Sequence, residues 1–237
     1  MAAAPRKMDV VYDQLKAQFR AGDLRFGERL EVNQLAQAMG TSRQPVLEAL
    51  KRLQAEGLVE VTPQVGSHVV IPSPQAIEDF FHVFAVLEGL ATRLATERRD
   101  DRDLIELAPT QDLVLTAAKG RKFDLGVYLA GNKRFHGTIH RIARSTEAAE
   151  AAHRYWERAD FLIASMNLKQ MRETLARSVE EHRAIFKAIK KGDADLAASL
   201  AESHVRAFAP PIEVRLRAVL EEMDLPVRAA DLPVPVS

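Results

Sequence analysis

Apolar residues recur every three or four positions through most of this chain, and the places where that rhythm breaks divide it. Val11, Leu15 and Phe19 stand four apart within residues 8–20, one face of an amphipathic helix. A turn-rich stretch, GDLRFGERL (22–30), follows. Two short helices are expected next. The first covers residues 31–39 with Leu35 and Met39 inward; the second is opened by Ser42 and keeps Val46, Leu50 and Leu53 at helical spacing. Gly40-Thr41 between them lets one helix end at a glycine and the next begin at a serine cap. Gly57 closes the second helix, and LVEVTP (58–63) and SHVVIP (67–72) read as two strands of a hairpin.

PSPQ (72–75) carries two prolines and no periodicity, which marks a boundary. Helical spacing then resumes over 76–99, 102–119, 123–144, 146–168, 170–191 and 193–222. Pro109 makes the second of these the least regular. Pro210-Pro211 should kink or split the last, because proline removes a backbone donor and crowds the preceding turn. The expected fold is mostly α: a winged helix-turn-helix over 1–72, a linker at 73–75, an all-helical antiparallel bundle of six or seven helices over 76–223, and a loose proline-rich tail at 224–237.

Composition narrows the class. The 237 residues contain no cysteine, so disulfides and thiolate-bound zinc are excluded. No apolar run is long enough to span a bilayer and no secretory signal is visible, so the cytoplasm is the expected location and no membrane partner is expected. The chain carries 33 basic and 33 acidic residues. Nucleic-acid binding would ordinarily leave a more basic footprint, so a DNA reading has to rest on pattern.

The pattern is specific. Two short helices across a tight turn, one helix before and a hairpin after, allow the second of the pair to lie in a major groove with its N-terminal side chains at base edges. Arg43 and Gln44 stand there, suited to guanine and adenine respectively. Thr41 and Ser42 can reach phosphate, Lys51 and Arg52 lie two turns on toward the DNA backbone, and the wing from Gln64 to His68 can touch a minor groove, with Gly66 permitting close approach.

Residues 10–71 resemble the winged helix-turn-helix of the GntR family, most specifically in Ser42-Arg43-Gln44-Pro45-Val46, Glu48-Ala49-Leu50 and Glu56-Gly57-Leu58-Val59. The resemblance implies a double-stranded DNA operator as partner. One departure stands out: where the family typically has an Arg after Pro-Val, this chain has Leu47, which cannot hydrogen-bond a base edge but can pack on a thymine methyl. An operator altered at that base pair is expected.

Of seven histidines, five fall in the later helices: His136, His140, His153, His182 and His204. Asn132, His136 and His140 are four residues apart. Four residues return to within about 40° on a helix, so the three share one stripe. His182 and His204, on two further helices, can complete a metal site in the bundle core. His153 has no such company.

The C-terminal half resembles the FCD ligand-binding domain of the FadR-type branch of that family, over roughly residues 76–222. The resemblance rests on VLEGLATRLATER (86–98), NKRFHGTIHRIA (132–143), EEHRAIFKAIKKGDADLA (180–197) and ESHV (202–205). It implies a divalent transition metal, Zn or Ni, held at Asn132, His136, His182 and His204. Asn132 replaces the family's aspartate, a neutral amide for a carboxylate; His140 is a possible substitute ligand. The family's Arg three residues before Leu87-Glu88 is Phe84 here, and an apolar ring cannot clamp a carboxylate. Either the effector is less anionic or more apolar, or Arg134 or Arg141 supplies the clamp.

The implied protein is a homodimer reading a near-palindromic operator, a repressor released by a small-molecule effector. A regulator that responds to the metal ion itself is the alternative. An enzyme is disfavoured: no H-E-x-x-H is present, and Glu180-Glu181-His182 reads as a helix face.

Overall fold

The computed structural model describes residues 6–62, 66–111, 125–166 and 168–225. The chain divides into two compact units, the described residues of Met1–Ala76 with those of Leu216–Ser237, and Ile77–Arg215.

In the first unit α1 (Lys7–Ala21) buries Val11, Leu15 and Phe19, the face its spacing predicts, and ends at Gly22, whose positive φ turns the chain away. Helices α2 (Val32–Ala38) and α3 (Arg43–Ala55) follow, separated by Gly40 at φ +59. Val46, Ala49, Leu50 and Leu53 of α3 are buried against α1 and α2. Ser42 occupies the N-cap position with extended backbone, but its side chain makes no capping bond.

The hairpin is β2 (Val59–Thr62) and β3 (Gly66–Val69), paired antiparallel with Val59 opposite Val69. A third strand, β1 (Arg29–Leu30), pairs antiparallel with β3 on its other side, giving the order β1-β3-β2. Its two residues lie in the stretch read as turn-rich. Two residues are too few to show a period, so only Leu30, buried in the core, hinted at it.

Helix α4 (Pro74–Arg98) opens the second half earlier than expected. The hydroxyl of Ser73 accepts the N–H of Ala76 at 3.0 Å, and Pro74 stands at the first helical position, where its missing N–H costs nothing. The stretch read as linker, residues 73–75, is thus a helix start. Helix α5 (Asp101–Leu107) begins with a reciprocal Asp100–Asp103 capping box. The remainder of the expected 102–119 segment lies outside the described residues beyond Gln111.

Helices α6 (Leu125–Ala143), α7 (Thr146–Ala164) and α8 (Leu168–Lys191) are followed by α9 (Ala194–Arg206) and α10 (Ala209–Glu222). The expected 193–222 segment is therefore split, with Pro210-Pro211 in the first turn of α10, where proline is tolerated. The end of α10, from Leu216, groups with the first unit rather than with the helices before it.

The bundle core gathers Ala95, Leu107, Phe135, Ile139, Ile142, Ile185, Ile189 and Ala201. Helices α8 and α9 pack together across the short Gly192-Asp193 turn. His182 and His204 lie at nearly equal chain distances from that turn, so the hairpin itself brings them level.

Candidate DNA-reading helix and histidine site

The buried face of α3 leaves Arg43, Gln44 and Lys51 exposed, with Leu47 half-buried beside them. Arg43, Leu47 and Lys51 are each four apart and so form one outward stripe. A surface depression of about 760 Å³ lies between α2 and α3, lined by Gln37, Thr41, Ser42, Arg43, Gln44 and Leu47 among others. Gln44 donates to Glu48 at 2.8 Å, which steadies it along the helix. The exposed Ser42 is placed to meet solvent or phosphate, whereas the Thr41 hydroxyl is buried without a hydrogen-bond partner among the described residues.

Arg52 is placed differently from its sequence reading. Its guanidinium stacks over Tyr12 of α1, 3.7 Å from the ring centre, and lies 3.6 Å from Asp9 and 3.7 Å from Glu56. It joins α3 to α1 instead of pointing with Lys51. Glu56 also accepts from Tyr12 at 2.6 Å and from the buried Lys16 at 2.8 Å. In the wing, Gly66 has φ +129 and half-buried His68 lies opposite Glu60 and Arg29. Gln64 lies outside the described residues.

The second site lies inside the bundle. Asn132, His136, His182 and His204 are each 2% exposed or less. One ligating nitrogen from each of the three histidines falls within 4.8 Å of the other two. The Nε2 atoms of His182 and His204 are 3.2 Å apart, close to the ~3.3 Å edge of a tetrahedron with metal–nitrogen bonds of about 2.0 Å. Three atoms of these residues, Asn132 Oδ1, His136 Nε2 and His182 Nδ1, are buried with no hydrogen-bond partner among the described residues. Such atoms are costly unless something meets them. Neutral imidazoles are what a metal requires; burial, reinforced by the neighbouring histidines, holds His182 well below its ordinary value. Burial also lowers His136, against the opposing pull of Glu88. The donor set fits a divalent transition ion.

Two carboxylates stand behind the histidines. His136 Nδ1 lies 2.8 Å from Glu88 Oε2, and Glu181 Oε2 lies 2.7 Å from His204 Nδ1. Glu181, read from sequence as part of a helix face, therefore touches the site, while Glu180 pairs with Arg183 at the surface. His140 is not a fourth ligand. Its Nε2 lies 2.8 Å from Glu88 Oε1, to which Trp156 Nε1 donates at 3.0 Å. Burial alone would raise Glu88, but His140 and His136 hold it well below the usual carboxylate range. Burial likewise opposes charge on His140, and Glu88 overrides it, raising that imidazole.

Neither expected clamp reaches this site. Arg141 is committed to Asp103 at 3.3 Å and Glu106 at 2.6 Å. Arg134 is exposed, two residues from both Asn132 and His136, and so on another side of α6. Phe84 is 2% exposed, stacked on Tyr155 and edge-on to Trp156. Beside it, Phe80 lies under the half-buried guanidinium of Arg158, 4.9 Å from its ring centre. Arg158 has no carboxylate in ion-pair range among the described residues, and sequence reasoning did not single it out. His153 is exposed.

A winged helix-turn-helix followed by a helical bundle defines a class, that of DNA-binding transcriptional regulators. The family described as bacterial regulatory proteins, gntR family, matches residues 7–69, and the FCD domain matches residues 79–207. This chain belongs to the GntR family, in its FCD-containing branch, and is a DNA-binding transcriptional regulator. It is 32% identical, over 94% of its length and 92% of the relative's, to an HTH-type transcriptional regulator in an unstable DNA locus of Streptomyces ambofaciens. It is 28% identical, over 84% and 86%, to a probable D-xylose utilization operon transcriptional repressor of Paenarthrobacter nicotinovorans. Its fold is shared with McbR/YncC of E. coli at a TM-score of 0.67 and 23% identity, covering 93% of this chain and 100% of that one. The relatives are regulators rather than enzymes. Among the described residues no helix is long and apolar enough to cross a membrane.

Proposed function

We propose that this chain is a repressor whose operator affinity is set by a small molecule bound in the helical unit, at or beside a divalent metal. The observation that carries the reading is the buried group of His136, His182 and His204, with Asn132 Oδ1, which has no hydrogen-bond partner among the described residues. The repressors among its relatives support the sign of regulation. The protein acts as a homodimer on a near-palindromic operator, and a ligand that prefers one of the dimer's two states shifts operator affinity by its differential binding.

Asn132, His136, His182 and His204 would hold the ion, which supplies a Lewis-acidic point to which a ligand oxygen or nitrogen can bind. The chain's own residues set the rest. Phe84 offers an effector no positive charge, so a strongly anionic ligand loses the clamp it would otherwise meet, and the aromatic group of Phe80, Phe84, Tyr155 and Trp156 favours one less anionic or more apolar. Arg158 is the cation beside that group.

A thermal-shift screen of small carboxylates against neutral metabolites, on metal-loaded protein, tests this. A hit that stabilises the wild type but not His182→Ala, and that weakens operator binding in fluorescence anisotropy, supports the reading. Strong stabilisation by simple dicarboxylates, unchanged in Arg158→Ala and in His182→Ala, contradicts it. Operator binding governed by Zn²⁺ or Ni²⁺ alone would favour a regulator that senses the ion itself.

A further inference from the structure

We propose that Glu88 is the positioning residue of the histidine site, fixing His136 in the one tautomer that leaves Nε2 open to a metal. The inference rests on the metal reading above, but its first readout does not require a metal.

The geometry is that of a carboxylate with no spare acceptor for a second arrangement. Glu88 is fully buried on α4 and receives three donors from two other helices. Oε2 faces His136 Nδ1 at 2.8 Å; Oε1 faces His140 Nε2 at 2.8 Å and Trp156 Nε1 at 3.0 Å. An ionised carboxylate only accepts, so the proton of neutral His136 sits on Nδ1 and the lone pair on Nε2. That Nε2 is buried with no hydrogen-bond partner among the described residues. An indole N–H only donates, so Trp156 holds Oε1 in place and keeps Oε2 for His136. Such outer partners orient metal-binding histidines generally.

Glu88→Gln discriminates this role from mere packing. The amide has nearly the same shape but one oxygen and one NH₂. Trp156 must face the oxygen, since two donors cannot bond each other, and the NH₂ then faces His136. His136 Nδ1 becomes the acceptor, its proton moves to Nε2, and the metal-binding lone pair is lost.

Long-range ¹H–¹⁵N correlation spectra of histidine-labelled, metal-free protein read the tautomers directly. The expected result is Nδ1–H for His136 in the wild type and Nε2–H in Glu88→Gln. Competition titration with a chromogenic chelator is then expected to show Zn²⁺ binding about 10- to 100-fold weaker in the variant. A wild-type His136 protonated on Nε2 overturns the proposal, and this holds even if the variant does not fold. So does a folded variant that binds Zn²⁺ within about twofold of the wild type. A wild type that binds no Zn²⁺ but shows the expected tautomer overturns the metal reading and leaves the role of Glu88 standing.

Discussion

Arg43 and Arg52 sit nine positions apart on one helix and do different work, because what surrounds each guanidinium decides its role. Arg43 is exposed at the start of α3 with no ion-pair partner among the described residues, and so can turn to a base. Arg52 is stacked on Tyr12 between Asp9 and Glu56. Arg43→Ala is therefore expected to weaken operator binding by about 1–3 kcal/mol and relax specificity at one position, measured by anisotropy across operator variants. Arg52→Ala should leave that affinity within about threefold while lowering the melting temperature, because it removes a cation–π contact worth ~1 kcal/mol. The reverse pattern would return Arg52 to the DNA. Glu56→Ala should cost more, about 2 kcal/mol of unfolding free energy in urea, since it removes the carboxylate that the buried Lys16 and the Tyr12 hydroxyl both bond; the partial exposure of Glu56 lowers that from the figure for a fully buried pair. Leu47 belongs to the same scale: sites selected by this protein from random DNA are expected to differ from those of Leu47→Arg at one base pair in each half.

At the scale of elements, Gly40 is where the sequence constrains the fold most sharply. Its φ of +59 is needed for the turn between α2 and α3, and a Cβ there would meet nothing within 4 Å. Gly40→Ala thus isolates backbone strain, expected at about 1–2 kcal/mol in denaturant unfolding, with Gly40→Asn milder. The helices and hairpin of this region were legible because each has a period and a breaker. The first strand was not, having two residues, and the Ser73-Pro74 helix start was hidden by reading proline as linker. The histidine group was legible in part. His136, His182 and His204 came from spacing and resemblance, but Glu88, Glu181 and Arg158 act from other helices, through contacts spanning tens of residues. A signal for Glu88 did exist: it stands at a core-facing position of α4, between Ala85 and Thr92, where an apolar residue would be expected. A charged residue on a buried stripe implies partners, even when the sequence does not say which.

The whole molecule comprises a winged helix-turn-helix with an exposed stripe on α3 and a helical bundle whose interior groups His136, His182 and His204. The two halves could be any reader and any sensor. What would make this one particular is that Asn132 and Phe84 stand where the resemblance leads one to expect a carboxylate ligand and a cation. Three imidazoles braced by Glu88 and Glu181 are expected to retain the ion nonetheless. The most direct test is metal content by inductively coupled plasma mass spectrometry, on protein purified without chelator or immobilised metal, beside His182→Ala. The account predicts close to one divalent transition ion per chain in the wild type and almost none in the variant. Wild-type protein that binds its operator yet carries no metal, and takes up none on incubation with Zn²⁺ or Ni²⁺, would contradict it.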